Sequence, residues 1–342
     1  MRKIDIFNHI YPAAYYTRLM QAAPDYKDIG KRMRGIPMLA DLDVRFRVMD
    51  TFEDYQQVLS LPTPPIENIV GGDTAADLAR AANDGMAELV ARHPDRFPAF
   101  VASLAYDDPD AAVREVVRAI DDLGARGVQM FTNVRGVPMS DARYLPIFEA
   151  VVARDLPIWM HPYRGADVAD YKTEARSEYE IWWTFGWPYE TSAAMARLVF
   201  AGHFDRFPNL KIITHHMGAM APYFAGRVGP GWDQLGARTS DMDLSAVLKT
   251  LKKRPLDYFR MFYADTALFG AYDATVCGLA FFGADHVLFA SDAPFDPEKG
   301  PMYIRETIAI LDRLPITEAE RERIYWRNAV KLLKLPGALP AS

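Results

Sequence analysis

Eight short apolar runs, nearly all separated by longer amphipathic segments, recur from end to end of this 342-residue chain, and that alternation constrains the fold more than any other feature. The runs cover residues 3–7, 57–61, 99–104, 127–131, 157–161, 211–214, 261–265 and 287–290. Strands that alternate with helices imply βαβ units and a parallel sheet. Eight such units make an α/β fold of the TIM-barrel type, a (β/α)8 barrel that closes its sheet and leaves no edge. An open doubly wound sheet is the competing arrangement, and it is disfavoured because no glycine-rich phosphate loop follows the first run. The segment DDPDAAVREVVRAIDDLGARG shows the helical theme. Asp108 is placed to cap, Pro109 to enter the first turn and Gly124 to stop the helix, with Val113, Val116, Val117 and Ile120 as its apolar stripe.

No linker, repeat or low-complexity tract divides the chain, so a single barrel domain over 1–342 is expected. Two connections, about 10–55 and 162–190, are long for a barrel. Both leave from the C-terminal ends of strands and are expected to roof an active site there. A net charge of −6 with no block of like charge argues against nucleic acid or an anionic membrane surface as a partner. No apolar run reaches membrane-spanning length, an acid at position 5 interrupts any leader-like start, and the one cysteine, Cys277, has no internal partner. A cytoplasmic protein is the expectation.

The seven histidines are unevenly placed. His9, His161, His215 and His216 fall at the C-terminal ends of expected strands, the face where barrel enzymes hold their chemistry, and Asp265 and Asp292 join them there. His93 and His203 lie near helix ends, and His286 lies at the opposite end of its strand. Imidazoles with a carboxylate suit a borderline divalent cation, and three protein ligands leave an open, catalytic coordination sphere.

KIDIFNHIYP, IWMHPY, GWPYETSAAMARLVFAGHFDRFPNLKIITHHMGAMAPYFAGRV and VLFASDAPF stand in an order and spacing that resemble the metal-dependent decarboxylase branch of the amidohydrolase superfamily, the branch of aminocarboxymuconate-semialdehyde decarboxylase. The resemblance runs from residue 3 to the closing YWRNAVKLLKL. It implies a (β/α)8 barrel with one divalent metal, zinc first and manganese second, held by His9, His161 and Asp292. His216 then matches the histidine that activates water on the metal, with His216 and Asp292 as acid and base. The same resemblance places a substrate-carboxylate arginine on Arg47, with Arg45 its neighbour, and at Arg227 an arginine that serves the adjacent subunit of a homodimer or larger homo-oligomer. Trp187 and Phe295 are expected to line the pocket. His215 is expected on the far side of its strand, in a structural role.

One position departs from the pattern. The family's first-strand ligand falls on Phe7, which has no donor atom. Three outcomes follow: a metal held by the remaining ligands, an oxygen from Asn8 if the strand end is bulged, or no metal at all. The reading by resemblance is decarboxylation of a small aromatic or unsaturated carboxylic acid. A hydrolase or hydratase would use the same parts, and a metal-free barrel that binds an anionic ligand is the non-catalytic alternative.

Overall fold

The computed structural model describes residues 1–27 and 29–335 of the chain. The single domain expected over 1–342 extends to 336–342, which lie outside the described residues. Each expected strand forms: β1 (Lys3–His9), β2 (Tyr55–Ser60), β3 (Ala99–Phe100), β4 (Val128–Phe131), β5 (Ile158–His161), β6 (Ile212–Thr214), β7 (Tyr263–Asp265) and β8 (Val287–Leu288). They pair in parallel as β1-β2-β3 and as β8-β7-β6-β5-β4. Two isolated bridges join these arcs, Ala102 with Val128 and Asn8 with Ala293. Backbone hydrogen bonds seal both seams, from Gln129 N to Ala102 O at 2.9 Å and from His9 N to Ala293 O at 2.8 Å. The eight strands therefore close into a barrel.

Ile4, Ile6, Phe7, Val58, Val101, Trp159, Ile213, Leu288 and Ala290 form one buried cluster. A cluster fed by six of the strands fills the barrel interior rather than its outer wall. Trp159 spans it and donates from Nε1 to Ile6 O at 3.1 Å. Val330, Leu332 and Leu333 of the last helical segment belong to the same cluster. The outer, larger cluster packs the helices against the barrel wall, and Leu78, Ala82 and Met86 of the long helix Gly72–Arg92 belong to it.

β1 is irregular where it matters. Asp5 pairs with Gln57, yet Asn8 pairs with Leu59, so three residues of β1 advance against two of β2. This is a bulge, and its freed N–H at Phe7 is taken up by Asp5 Oδ1 at 3.3 Å. Phe7 and His9 nonetheless share one side, with ring centroids 5.3 Å apart. Asn8 faces away from them: its Nδ2 donates to Val58 O at 3.0 Å and its Oδ1 accepts from Arg45 at 3.3 Å. It offers nothing to a metal.

In the helix Pro109–Val117 the Asp108 side chain accepts from Ala111 N at 3.0 Å, with Pro109 in the first turn. The buried face differs from the expected stripe. It is Ala112, Glu115 and Val116, continued by Ala119, while Val117 is exposed. Glu115 turns inward because Asn83 donates to it at 2.7 Å and Arg118 pairs with it at 2.8 Å. A polar network thus fixes the helix rotation where the apolar count alone does not. The chain also holds an unexpected hairpin after β4, Asn133–Val134 against Val137–Pro138, turned by Arg135 and Gly136 at positive φ.

Candidate metal centre

The C-terminal ends of β1, β5, β6 and β8 bring His9, His161, His215, His216 and Asp292 together in the mouth of the barrel. Donor atoms of His9, His161 and His215 lie within 4.8 Å of one another, as do those of His215, His216 and Asp292. Each ring is oriented by a backbone or carboxylate partner on Nδ1. His9 Nδ1 meets Leu61 O at 3.0 Å, His161 Nδ1 meets Pro162 O at 2.6 Å, and His216 Nδ1 meets Ala267 O at 2.7 Å. A carbonyl only accepts, so each Nδ1 carries a proton, which leaves Nε2 as the ring atom turned toward the cluster. His9 Nε2 lies 3.0 Å from Asp292 Oδ1.

His215 does not lie on the far side of its strand, as expected, but points into the cluster. β6 ends at Thr214, and the chain then turns through His216 and Met217, both at positive φ. His215 is still extended and keeps the inward side of Ile213, and the left-handed turn at His216 brings the next ring to the same side, where the two stack at 3.7 Å between centroids. His215 Nδ1 meets Asp265 Oδ2 at 2.5 Å, while Asp265 Oδ1 accepts from the backbone of His216 and Ala267, each at 3.0 Å. Asp265 therefore positions both histidines. Phe7, fully buried, stacks on His215 at 4.0 Å and touches the His161 ring at 5.7 Å.

The electrostatics suit a cation. Burial, aided by His215 and His9, drives His161 well below the ordinary imidazole range. Burial and then His215 lower His216 to about 4, which keeps it neutral. For Asp292 burial works the other way, but the His215 and His9 rings beside it hold it well below the usual carboxylate range. Burial opposes charge on His215 too, yet Asp265 and then Asp292 push it up to about 9. Two buried carboxylates thus lie against a cluster of imidazoles of which His161 and His216 are kept neutral, a setting that suits a divalent cation.

Above this cluster opens a cavity of about 1040 Å³. His161, His216 and Asp292 form its floor, and Trp187, Phe295 and Tyr303 stand among its walls. Residues of both long connections line it as well, including Arg32 and Met33 from the first and Trp182 from the second.

The amidohydrolase family model matches residues 4–335. This chain belongs to the amidohydrolase family. It is 33% identical to the γ-resorcylate decarboxylase of Polaromonas sp. strain JS666, over 91% of each chain. Among solved structures it resembles a dihydroxybenzoic acid decarboxylase from Polaromonas sp. JS666 with bound manganese and the inhibitor 2-nitroresorcinol, at TM-score 0.78 and 31% identity over 98% of each chain. It also resembles the 5-carboxyvanillate decarboxylase of Sphingomonas paucimobilis, at TM-score 0.79 and 26% identity, covering 98% of this chain and 99% of that one. Like its relatives in the amidohydrolase family, it is an enzyme. No helix among the described residues is long and apolar enough to cross a membrane.

Arg45, Arg47 and Arg227 do not line the cavity of this amidohydrolase's own chain. Arg47 is exposed on the helix Leu42–Met49 and does not line the cavity. Arg45, two residues earlier and so on the opposite face of the helix, is fully buried. It donates to Gln57 Oε1 at 2.6 Å, to Met38 O at 3.1 Å and to His9 O. Its work is to pin the first long connection onto the end of β1, which fixes His9. Helix periodicity placed one arginine inward and one outward, and the loop's course decided which. Replacing Arg45 by Met strands several buried acceptors, so the metal-free protein should lose about 3–5 kcal/mol in urea unfolding. Arg47→Met should stay within about 0.5 kcal/mol and leave KM unchanged. Arg227 is also exposed, on the helix Ala225–Trp232, away from the cavity of its own chain.

Proposed function

We propose that this amidohydrolase is a metal-dependent decarboxylase of hydroxylated aromatic carboxylic acids. The observation that carries the reading is the buried cluster in which His9 and His161 group with His215, and His215 with His216 and Asp292, opening onto an aromatic-walled cavity. The named relatives, decarboxylases of dihydroxybenzoate and carboxyvanillate, support the substrate class. His9, His161 and Asp292 would hold one divalent cation. The histidine-rich set favours zinc, and manganese is the second choice. When bound, the cation supplies a Lewis-acid contact for the substrate's oxygens.

The chain's own residues do the rest. Trp187, packed edge-on to His161 at 5.6 Å, and Phe295, 5.2 Å from His9, hold the substrate ring in a water-poor slot. Lys31, Arg32 and Lys299 at the cavity wall draw in the anion. The carbon that bears the carboxylate accepts a proton relayed from solvent through His216 Nε2 or Asp292. The carbon–carbon bond then breaks, its electron pair restores the aromatic ring, and CO2 leaves. One proton from solvent resets the site for each turnover.

We further propose a homodimer or larger assembly in which Arg227 reaches a neighbouring copy. Its exposure and the adjacent Tyr223, 78% exposed, support a contact across that boundary.

A panel of ortho-hydroxylated benzoates in deuterated water tests the reaction. Equimolar CO2 and arene are expected, with one deuterium at the carbon that lost the carboxylate. A product that has gained water, with no CO2, would instead establish the hydratase chemistry.

A further inference from the structure

We infer that His215 is the ligand that replaces the missing first-strand donor, so that the metal is held by His9, His161, His215 and Asp292. The inference rests on the metal-dependent reading above and deepens it. Phe7 occupies the place from which a first-strand ligand would reach the metal, fully buried among the rings of His9, His161 and His215. A site that has lost a donor there needs another from a neighbouring direction. His215 supplies it from the end of β6.

Three observations carry this. His215 Nε2 is buried and has no hydrogen-bond partner; it lies 3.4 Å from Asp292 Oδ1 without forming a bond. A buried imidazole nitrogen left unsatisfied is costly unless something binds it. Next, the donor atoms of His215 group both with those of His9 and His161 and with that of Asp292, so it is the member common to both halves of the cluster. Finally, His215 Nδ1 is held by Asp265 at 2.5 Å. A carboxylate behind an imidazole that presents Nε2 is the usual support of a ligating histidine, since it fixes the ring and raises its basicity. His216 differs, because its donor atoms group with those of His215 and Asp292 but not with those of His9 and His161. The stacking of Phe7 on His215 then has a purpose: the ring that removed one ligand supports its substitute.

Metal titration tests this. Zinc and manganese would be titrated against a chromophoric chelator into wild type, His215→Gln, Asp265→Asn and the double variant carrying Phe7→Glu with His215→Gln. Melting temperatures would be read with and without metal. Wild type should bind one equivalent. His215→Gln should bind about 100-fold more weakly and lose most of its metal-dependent rise in melting temperature, and Asp265→Asn should bind about 10–100-fold more weakly. The double variant should regain affinity over His215→Gln, since a first-strand carboxylate is restored. Wild-type affinity in His215→Gln overturns the inference and leaves the functional proposal standing. Should His215→Gln not fold, unchanged affinity in Asp265→Asn overturns it equally. A wild-type protein that takes up neither zinc nor manganese removes the functional reading and this inference together.

Discussion

Asp292→Asn protein should turn over its aromatic acid about a thousandfold more slowly than wild type, or below detection, while remaining folded. Asp292 sits at the end of β8 with Oδ1 3.0 Å from His9 Nε2 and 3.4 Å from His215 Nε2, and it is the negatively charged member of the expected ligand set. The amide is close in size but cannot carry that charge. Two consequences separate it from a merely structural change. Metal affinity should fall along with kcat, and excess metal should recover part of the binding but little of the rate. A variant that kept wild-type kcat would remove Asp292 from the chemistry. The measurement is steady-state CO2 release with metal content determined on the same sample.

His216→Gln should behave differently. Its kcat should drop about 10²–10⁴-fold while the metal stays bound at near wild-type affinity. His216 Nδ1 is committed to Ala267 O, which leaves Nε2 as the nitrogen for the cavity that His216 lines. Burial and His215 keep it neutral, so it can accept and return a proton. Loss of metal in step with loss of rate would make His216 a ligand instead. Comparing His215→Gln with His216→Gln is therefore informative: adjacent, stacked histidines should fail in opposite ways, one in binding and one in turnover.

The barrel was legible because each strand is a short apolar run bounded by turn residues, and periodicity reports that directly. The positions of His9, His161 and Asp292 followed from their strand-end placement. His215 was misread for a physical reason. Alternation from Ile213 in fact turns His215 inward, and it is His216 that a left-handed backbone, which sequence pattern does not announce, carries to the same side. Asp265, one strand over, was the available clue, since a strand-end carboxylate beside a strand-end histidine suggests a positioned imidazole. Arg45 and Arg47 were unreadable for another reason. The first long connection is mostly helical, and which helix face meets β1 depends on its whole path rather than on local pattern. The bulge in β1 was likewise invisible, although it leaves Phe7 and His9 on one side as simple alternation would.

Chelation measures the central proposal most directly. The purified enzyme would be assayed for CO2 release from its best hydroxybenzoate, stripped of metal with a chelator, assayed again, and then resupplied with zinc or manganese. The expected result is activity that disappears on stripping and returns with about one equivalent of metal. Unchanged activity in thoroughly stripped protein would contradict a metal-dependent decarboxylase and point to His216 and Asp292 acting as acid and base without a metal.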